Sequence, residues 1–139
     1  MVKVSKEFTF DSSHRLNNDH MSEDWNKLIF GKCNNEPSHG HTYKMIVTVE
    51  GEPNSDTGMV INFAKLKEIV NLVIIEEYDH KFLNNVISGV TTCENMVKII
   101  YDKLSNHFPS PAIVEANLYS ITLYETPTSW ATYTKEDSK

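Results

Sequence analysis

A chain of 139 residues that is 40% hydrophobic and 23% charged is one domain's length, enough to enclose a single core. Its formal net charge of −6 argues against a nucleic-acid or anionic-membrane partner, since both call for a basic surface. No apolar run is long enough for an export signal or a membrane span, and Cys33 and Cys93 are too few for a disulfide framework, so a reducing cytoplasm is the expected compartment.

From Val2 to Leu16 the residues alternate, with Phe8, Phe10, Ser12 and His14 on one parity and Glu7, Thr9, Asp11 and Ser13 on the other. That is the period of a strand, with His14 on the inward side. Asn17 to Ser38 is polar and punctuated by Gly31 and Pro37, and reads as a long irregular loop pinned by Trp25, Leu28, Ile29 and Phe30. Alternation resumes from His39 to about Gly51, with Tyr43, Met45, Val47 and Val49 facing one way. A turn from Glu52 to Gly58 and a short apolar piece, Met59 to Ile61, lead to Asn62.

Asn62 can cap a helix carrying Phe63, Leu66, Val70, Val73 and Ile74 and ending near Tyr78. Asp79, His80 and a turn at Leu83 to Asn85 follow. A second helix starts near Thr92, presents Met96, Val97, Ile100, Leu104 and Phe108, and stops at Pro109. Tyr119, Ile121, Leu123 and Glu125 share the parity of a further strand, and Trp130 to Tyr133 form its partner. The order ββααββ predicts an α+β domain over 1–139, an antiparallel sheet with two helices on one face. The polar tail from Lys135 to Lys139 is expected to fray.

His39 and His41 lie two apart on a strand, so both imidazoles project from one face and can share a metal ion. That face is the inward one, where a histidine satisfied by hydrogen bonds is the alternative. Cys33 lies six residues upstream as a potential thiolate. Zinc favours nitrogen and sulfur ligands, and a catalytic zinc takes three protein ligands while keeping an open position, so a third ligand is called for. Glu125 places a carboxylate on an apolar parity at a strand end, either inward or exposed where the strand stops.

With these residues placed, the sequence resembles the 6-pyruvoyl-tetrahydropterin synthase and 6-carboxytetrahydropterin synthase family from Phe8 to about Tyr133. The resemblance is carried by Phe10-Asp11-Ser12-Ser13-His14-Arg15-Leu16, by Cys33 to His41 with Tyr43, and by Gly58-Met59-Val60. It continues through Asp79-His80-Lys81-Phe82-Leu83-Asn84, Thr92-Cys93-Glu94-Asn95 and Tyr124-Glu125-Thr126. It implies the tunnelling fold, in which the sheets of three subunits close into a barrel and two trimers stack into a homohexamer with active sites between subunits. It also implies a small-molecule pterin substrate and a zinc ion (Zn2+) bound by His14, His39 and His41. By the same resemblance Cys33 is the catalytic cysteine, Asp79 and His80 are a proton-transfer pair, Glu125 anchors the pterin, and Thr92 and Glu94 add contacts to it. Cys93 reads as a small buried residue.

Spacing around Cys33 bears on the reaction. Cys-x5-His-Gly-His resembles the pyruvoyl-forming members, whereas the carboxytetrahydropterin synthases of queuosine synthesis usually have a shorter spacing. A third subgroup has Cys-x2-Glu-x2-His-Gly-His, which Cys33, Glu36 and His39 match. Its members cleave the pterin side chain to 6-hydroxymethyl-7,8-dihydropterin for folate synthesis. The expectation is therefore a zinc-dependent lyase of dihydroneopterin or its triphosphate, with Glu36 as the base of a retro-aldol cleavage. Triphosphate elimination to 6-pyruvoyl-tetrahydropterin is the neighbouring reading, and carboxytetrahydropterin formation stands third. A non-catalytic alternative makes Cys33 a fourth ligand that closes a structural zinc site.

Overall fold

The computed structural model describes residues 1–111 and 113–139. Strand β1 (Val2–His14) lies antiparallel to β2 (His39–Gly51) in unbroken register, from Val2 opposite Gly51 to His14 opposite His39. On the other edge of β2 lies β4 (Asn117–Thr126), and β5 (Ser129–Thr134) lies outside it. The four expected strands thus form the antiparallel body of the sheet. A two-residue strand, β3 (Lys81–Phe82), runs parallel to the end of β1 at Ser12 and Ser13, so the sheet is mixed, in the order β3-β1-β2-β4-β5.

The expected inward parities hold except at Tyr119, where an irregularity in the β2–β4 pairing buries Leu118 instead and leaves the Tyr119 ring under Lys3. Phe10, Tyr43, Met45, Val47, Val49, Ile121 and Leu123 are buried in one core with the helices. Helix α4 (Cys93–His107) starts where Thr92 accepts the Asn95 N–H, and it buries Met96, Val97, Ile100 and Leu104. Helix α2 (Phe63–Val70) starts where Asn62 accepts the Ala64 N–H at 2.8 Å. It passes through a π-helical turn (Asn71–Ile75) into α3 (Glu76–Tyr78). The reason is in the spacing. Leu66, Val70, Ile74 and Tyr78 are all buried at intervals of four, and on a regular α-helix each such step drifts by about 40°. A wider turn takes up that drift and keeps the stripe against the sheet.

Two expectations are corrected. Helix α1 (Glu23–Phe30) occupies the stretch read as an irregular loop. Ser22 accepts the Trp25 N–H at 3.1 Å, and Glu23 and Asp24 suit the positive end of the helix dipole. Trp25 packs edge-on to Phe30, but Leu28 and Ile29 do not pin the segment, being 82% and 54% exposed. Buried Asn26 does so instead. Its Nδ2 donates to the carbonyls of Asn18 and Ser22, and its Oδ1 accepts the Asn18 N–H at 2.7 Å.

The tail does not fray at Lys135 to Asp137. Lys135 pairs with the buried Glu50 carboxylate and donates its N–H to Tyr119, while Asp137 accepts the N–H and hydroxyl of Thr134. A carboxylate as buried as Glu50 needs such a partner, because desolvating a lone charge is expensive.

Asn26→Ala is expected to lower unfolding stability by about 1–3 kcal/mol, because it leaves buried backbone groups without partners. Leu28→Ala should stay within about 0.5 kcal/mol, as an exposed substitution does. Urea denaturation of the two variants checks this, and equal losses would restore the apolar pins.

Candidate active site

The β1–β2 register brings His14 directly opposite His39, with His41 two residues further along the same face. One ring nitrogen from each of the three histidines lies within 4.8 Å of the others. The rings meet edge-on, with centroids 4.6–5.1 Å apart. All three Nε2 atoms are buried and have no hydrogen-bond partner. Leaving one buried polar atom unsatisfied costs about 1–3 kcal/mol, so three that converge on one point fit a shared cation.

The protonation state agrees with that use. His14 Nδ1 lies 2.9 Å from the Thr91 carbonyl, to which it donates, and this turns the Nε2 lone pair inward. Burial holds the His14 pKa down to about 4, against a smaller upward pull from Thr91. Burial also lowers that of His41. At neutral pH both rings are uncharged, the form that binds metals.

Glu125 faces inward, the first of the two readings its parity left open. Its carboxylate oxygens lie 3.9 Å from His14 Nε2 and 3.7 Å from His41 Nε2, at an irregularity in the β4–β5 pairing. Thr92, Glu94 and Glu125 line one hollow of about 510 Å³, with Leu16, Phe30 and Trp130 on its walls. The three residues expected to contact substrate are therefore neighbours.

Asp79 and His80 directly precede β3, which pairs with the end of β1 at the edge of the sheet. The Asp11 N–H donates to Asp79 Oδ1 at 2.9 Å, and the Asp11 carbonyl accepts the His80 N–H at 2.6 Å. His80 takes a left-handed backbone with φ of 59°, and its Nδ1 lies 3.0 Å from Asp79 Oδ2. The Asp11 N–H, helped by His80, holds the Asp79 carboxyl below the usual carboxylate range. The His80 side chain is 80% exposed and borders an open hollow of about 560 Å³ together with His41 and Thr42.

Cys33 is half-buried in a 3-10 turn (Gly31–Asn34), where its carbonyl accepts the Leu16 N–H at 2.9 Å. Among the described residues the group able to share an ion is His14, His39 and His41, and Cys33 is not a member. Among the described residues the thiol is thus not brought together with the three imidazoles as a fourth ligand. Glu36 is 79% exposed, and its carboxylate is 3.8 Å from Arg15 Nη1. Thr91 and Asp11 went unnoticed as supports because each acts chiefly through its backbone, which leaves no side-chain signal.

The family model for 6-pyruvoyl tetrahydropterin synthase matches residues 3–136. Human 6-pyruvoyl tetrahydrobiopterin synthase is 38% identical over 139 residues, covering 97% of this chain and 92% of the relative. Dihydroneopterin monophosphate aldolase of Pyrococcus furiosus is 32% identical over 117 residues, covering 84% of this chain and 83% of the relative. The structure of 6-pyruvoyl tetrahydropterin synthase from Caenorhabditis elegans superposes with a TM-score of 0.87 at 35% identity, covering 96% of this chain and 94% of that one. Matched along nearly its whole length in sequence and in tunnelling-fold architecture, this chain belongs to the 6-pyruvoyl tetrahydropterin synthase family of lyases.

Proposed function

We propose that this protein is a zinc-dependent 6-pyruvoyl tetrahydropterin synthase that eliminates triphosphate from 7,8-dihydroneopterin triphosphate. This reverses the order of the two leading readings of the sequence. The observation that carries the choice is the contrast between Cys33 and Glu36. The Cys33 turn is tied by hydrogen bonding to the end of the strand that carries His14, while the Glu36 carboxylate is in solvent beside Arg15. The greater identity and coverage of the human synthase relative to the aldolase support the same order.

When bound by His14, His39 and His41, zinc supplies Lewis acidity toward the side-chain oxygens of the substrate. Glu125 accepts two parallel hydrogen bonds from the 2-amino group and N3 of the pterin, which sets the ring's orientation, and Thr92 and Glu94 add contacts. Cys33 takes a proton from the substrate side chain. The C–O bond to triphosphate breaks, its electron pair leaving with the phosphate. The electron pair left when C1′ loses its proton passes into the N5=C6 bond of the ring, so the ring becomes tetrahydropterin as C1′ becomes a carbonyl. The enol left at C2′–C3′ by loss of triphosphate closes to a methyl ketone, and His80, oriented by Asp79, shuttles these protons. Assembly into a homohexamer, a dimer of trimers, belongs to the same proposal. In its support, the outer edge of β1 from Val2 to Asp11 has no strand partner among the described residues. A cytoplasmic location also belongs to it. Among the described residues no helix is long and apolar enough to cross a membrane.

The second reading is retro-aldol cleavage to 6-hydroxymethyl-7,8-dihydropterin with Glu36 as base, favoured by the Cys33-x2-Glu36 spacing and the similarity to the aldolase. It requires Glu36 to leave Arg15.

Incubating the zinc-loaded protein with 7,8-dihydroneopterin and, separately, with its triphosphate separates the two. Mass spectrometry should find free triphosphate and the 6-pyruvoyl pterin from the latter. Cys33→Ala should slow turnover by about 10²–10⁴-fold, as losing a proton-transfer group does, while Glu36→Ala leaves it nearly unchanged. A 6-hydroxymethyl product that disappears in Glu36→Ala would establish the cleavage instead.

Metal content gives a second check. The protein should bind about one zinc per chain and lose it in His39→Ala. Free zinc at a hundredfold excess over its Kd should raise unfolding stability by about 2.7 kcal/mol. Full zinc occupancy in His39→Ala would remove the triad from the role.

A further inference from the structure

Asn34 is 3% exposed and has no part in the chemistry proposed above. It follows Cys33 at the end of the 3-10 turn. Its Nδ2 donates to the Leu16 carbonyl at 2.7 Å and to Asn17 Oδ1 at 2.9 Å. In return, Leu16 donates its N–H to the Cys33 carbonyl, and Arg15 Nε donates to the Asn34 carbonyl at 2.7 Å. Arg15 is itself held by Asn84, which accepts the Arg15 N–H at 2.9 Å and donates to the Arg15 carbonyl at 2.7 Å. Residues Arg15 to Asn17 directly follow His14. They are therefore stitched to the Cys33 turn on one side and, through Asn84, to the turn after Asp79 and His80 on the other.

We propose that Asn34 is the positioning residue for Cys33, its buried amide locking the 3-10 turn onto the end of β1 so that the thiol is placed relative to His14. This rests on the reading of Cys33 as the group that takes the substrate proton. A 3-10 turn of this length has little stability of its own, so the tie to β1 decides where the thiol sits. A reacting group displaced by about 1 Å can cost on the order of 10²-fold in rate. The amide is also specific. Both acceptors, Leu16 O and Asn17 Oδ1, require an NH2 donor, and an aspartate of the same shape would set a carboxylate against them.

The test uses zinc-loaded wild type, Asn34→Ala and Asn34→Asp, with Ile69→Ala as a core lesion on α2. Alkylation of Cys33 by iodoacetamide is followed by peptide mass, with Cys93 as the internal reference, alongside Tm, zinc content, kcat and KM. Both Asn34 variants should change the Cys33 alkylation rate by about fivefold or more, the equivalent of about 1 kcal/mol. Their kcat should fall about 10–100-fold with KM little changed and zinc retained. Ile69→Ala should lower Tm while leaving Cys33 alkylation and kcat where they were. If Asn34→Ala does not fold, Asn17→Ala removes a single acceptor, and the same readouts should move in the same direction by less.

The proposal is overturned if the Asn34 variants lose Tm as Ile69→Ala does but alkylate Cys33 at the wild-type rate. Alkylation needs no turnover. A wild-type protein that converts neither pterin therefore sinks the proposed function, while the alkylation comparison still decides the role of Asn34.

Discussion

The pairing of β1 with β2 sets the site. Because the register runs unbroken to His14 opposite His39, the ends of two distant sequence segments become one histidine-bearing edge. A one-residue slip would turn His14 to the other face of the sheet and with it every inward side chain of the strand, Phe8 and Phe10 included. The core and the metal-binding group are therefore specified by the same constraint. Packing of Phe10 on Tyr43, stacked with centroids 5.0 Å apart, holds the register that aligns the imidazoles.

Around that edge the backbone of β1 serves as the common reference. Asp11 fixes Asp79 and His80 through its own N–H and carbonyl, and Leu16 fixes Cys33 through its N–H. Groups from two loops are thus referred to one strand and the residues directly after it. This is an economical way to hold reacting groups on loops, since the strand is anchored along its whole length in the sheet. His80 shows the tightness of the arrangement. Its left-handed backbone persists because the Asp11 carbonyl and the Asp79 side chain both grip it.

What was legible in the sequence followed from period and parity. His14, His39 and His41 were placed inward by alternation, whereas alternation left Glu125 either inward or exposed at its strand end, and only the family resemblance gave it an inward role. Both helices were legible from their caps and apolar stripes. Helix α1 was missed because it is short and its polar flanks with Gly31 and Pro37 read as loop, although Trp25, Leu28 and Ile29 recur at helical spacing and Ser22 followed by Glu23 and Asp24 is a start signal. The fixed tail was missed because polar composition hides a single decisive pairing, that of Lys135 with Glu50. Glu36 is a different case. Its spacing from Cys33 is a property of the sequence, but its orientation toward Arg15 is set by how the loop closes, on which local pattern is silent.

The π-helical turn between α2 and α3 has a consequence for how this chain can tolerate changes in length. One residue fewer between Asn71 and Ile75 would let the segment relax to an ordinary α-helix on which the buried Leu66, Val70, Ile74 and Tyr78 stand four, three and four apart, the spacing of one helix face, so everything after the turn would keep its bearing on the core. The same deletion in a regular stretch of the helix would instead turn Tyr78, Asp79 and His80 by about 100° about the helix axis and point the dyad away from Asp11. The wide turn is thus where this helix absorbs a change of one residue in length without moving the groups that follow it.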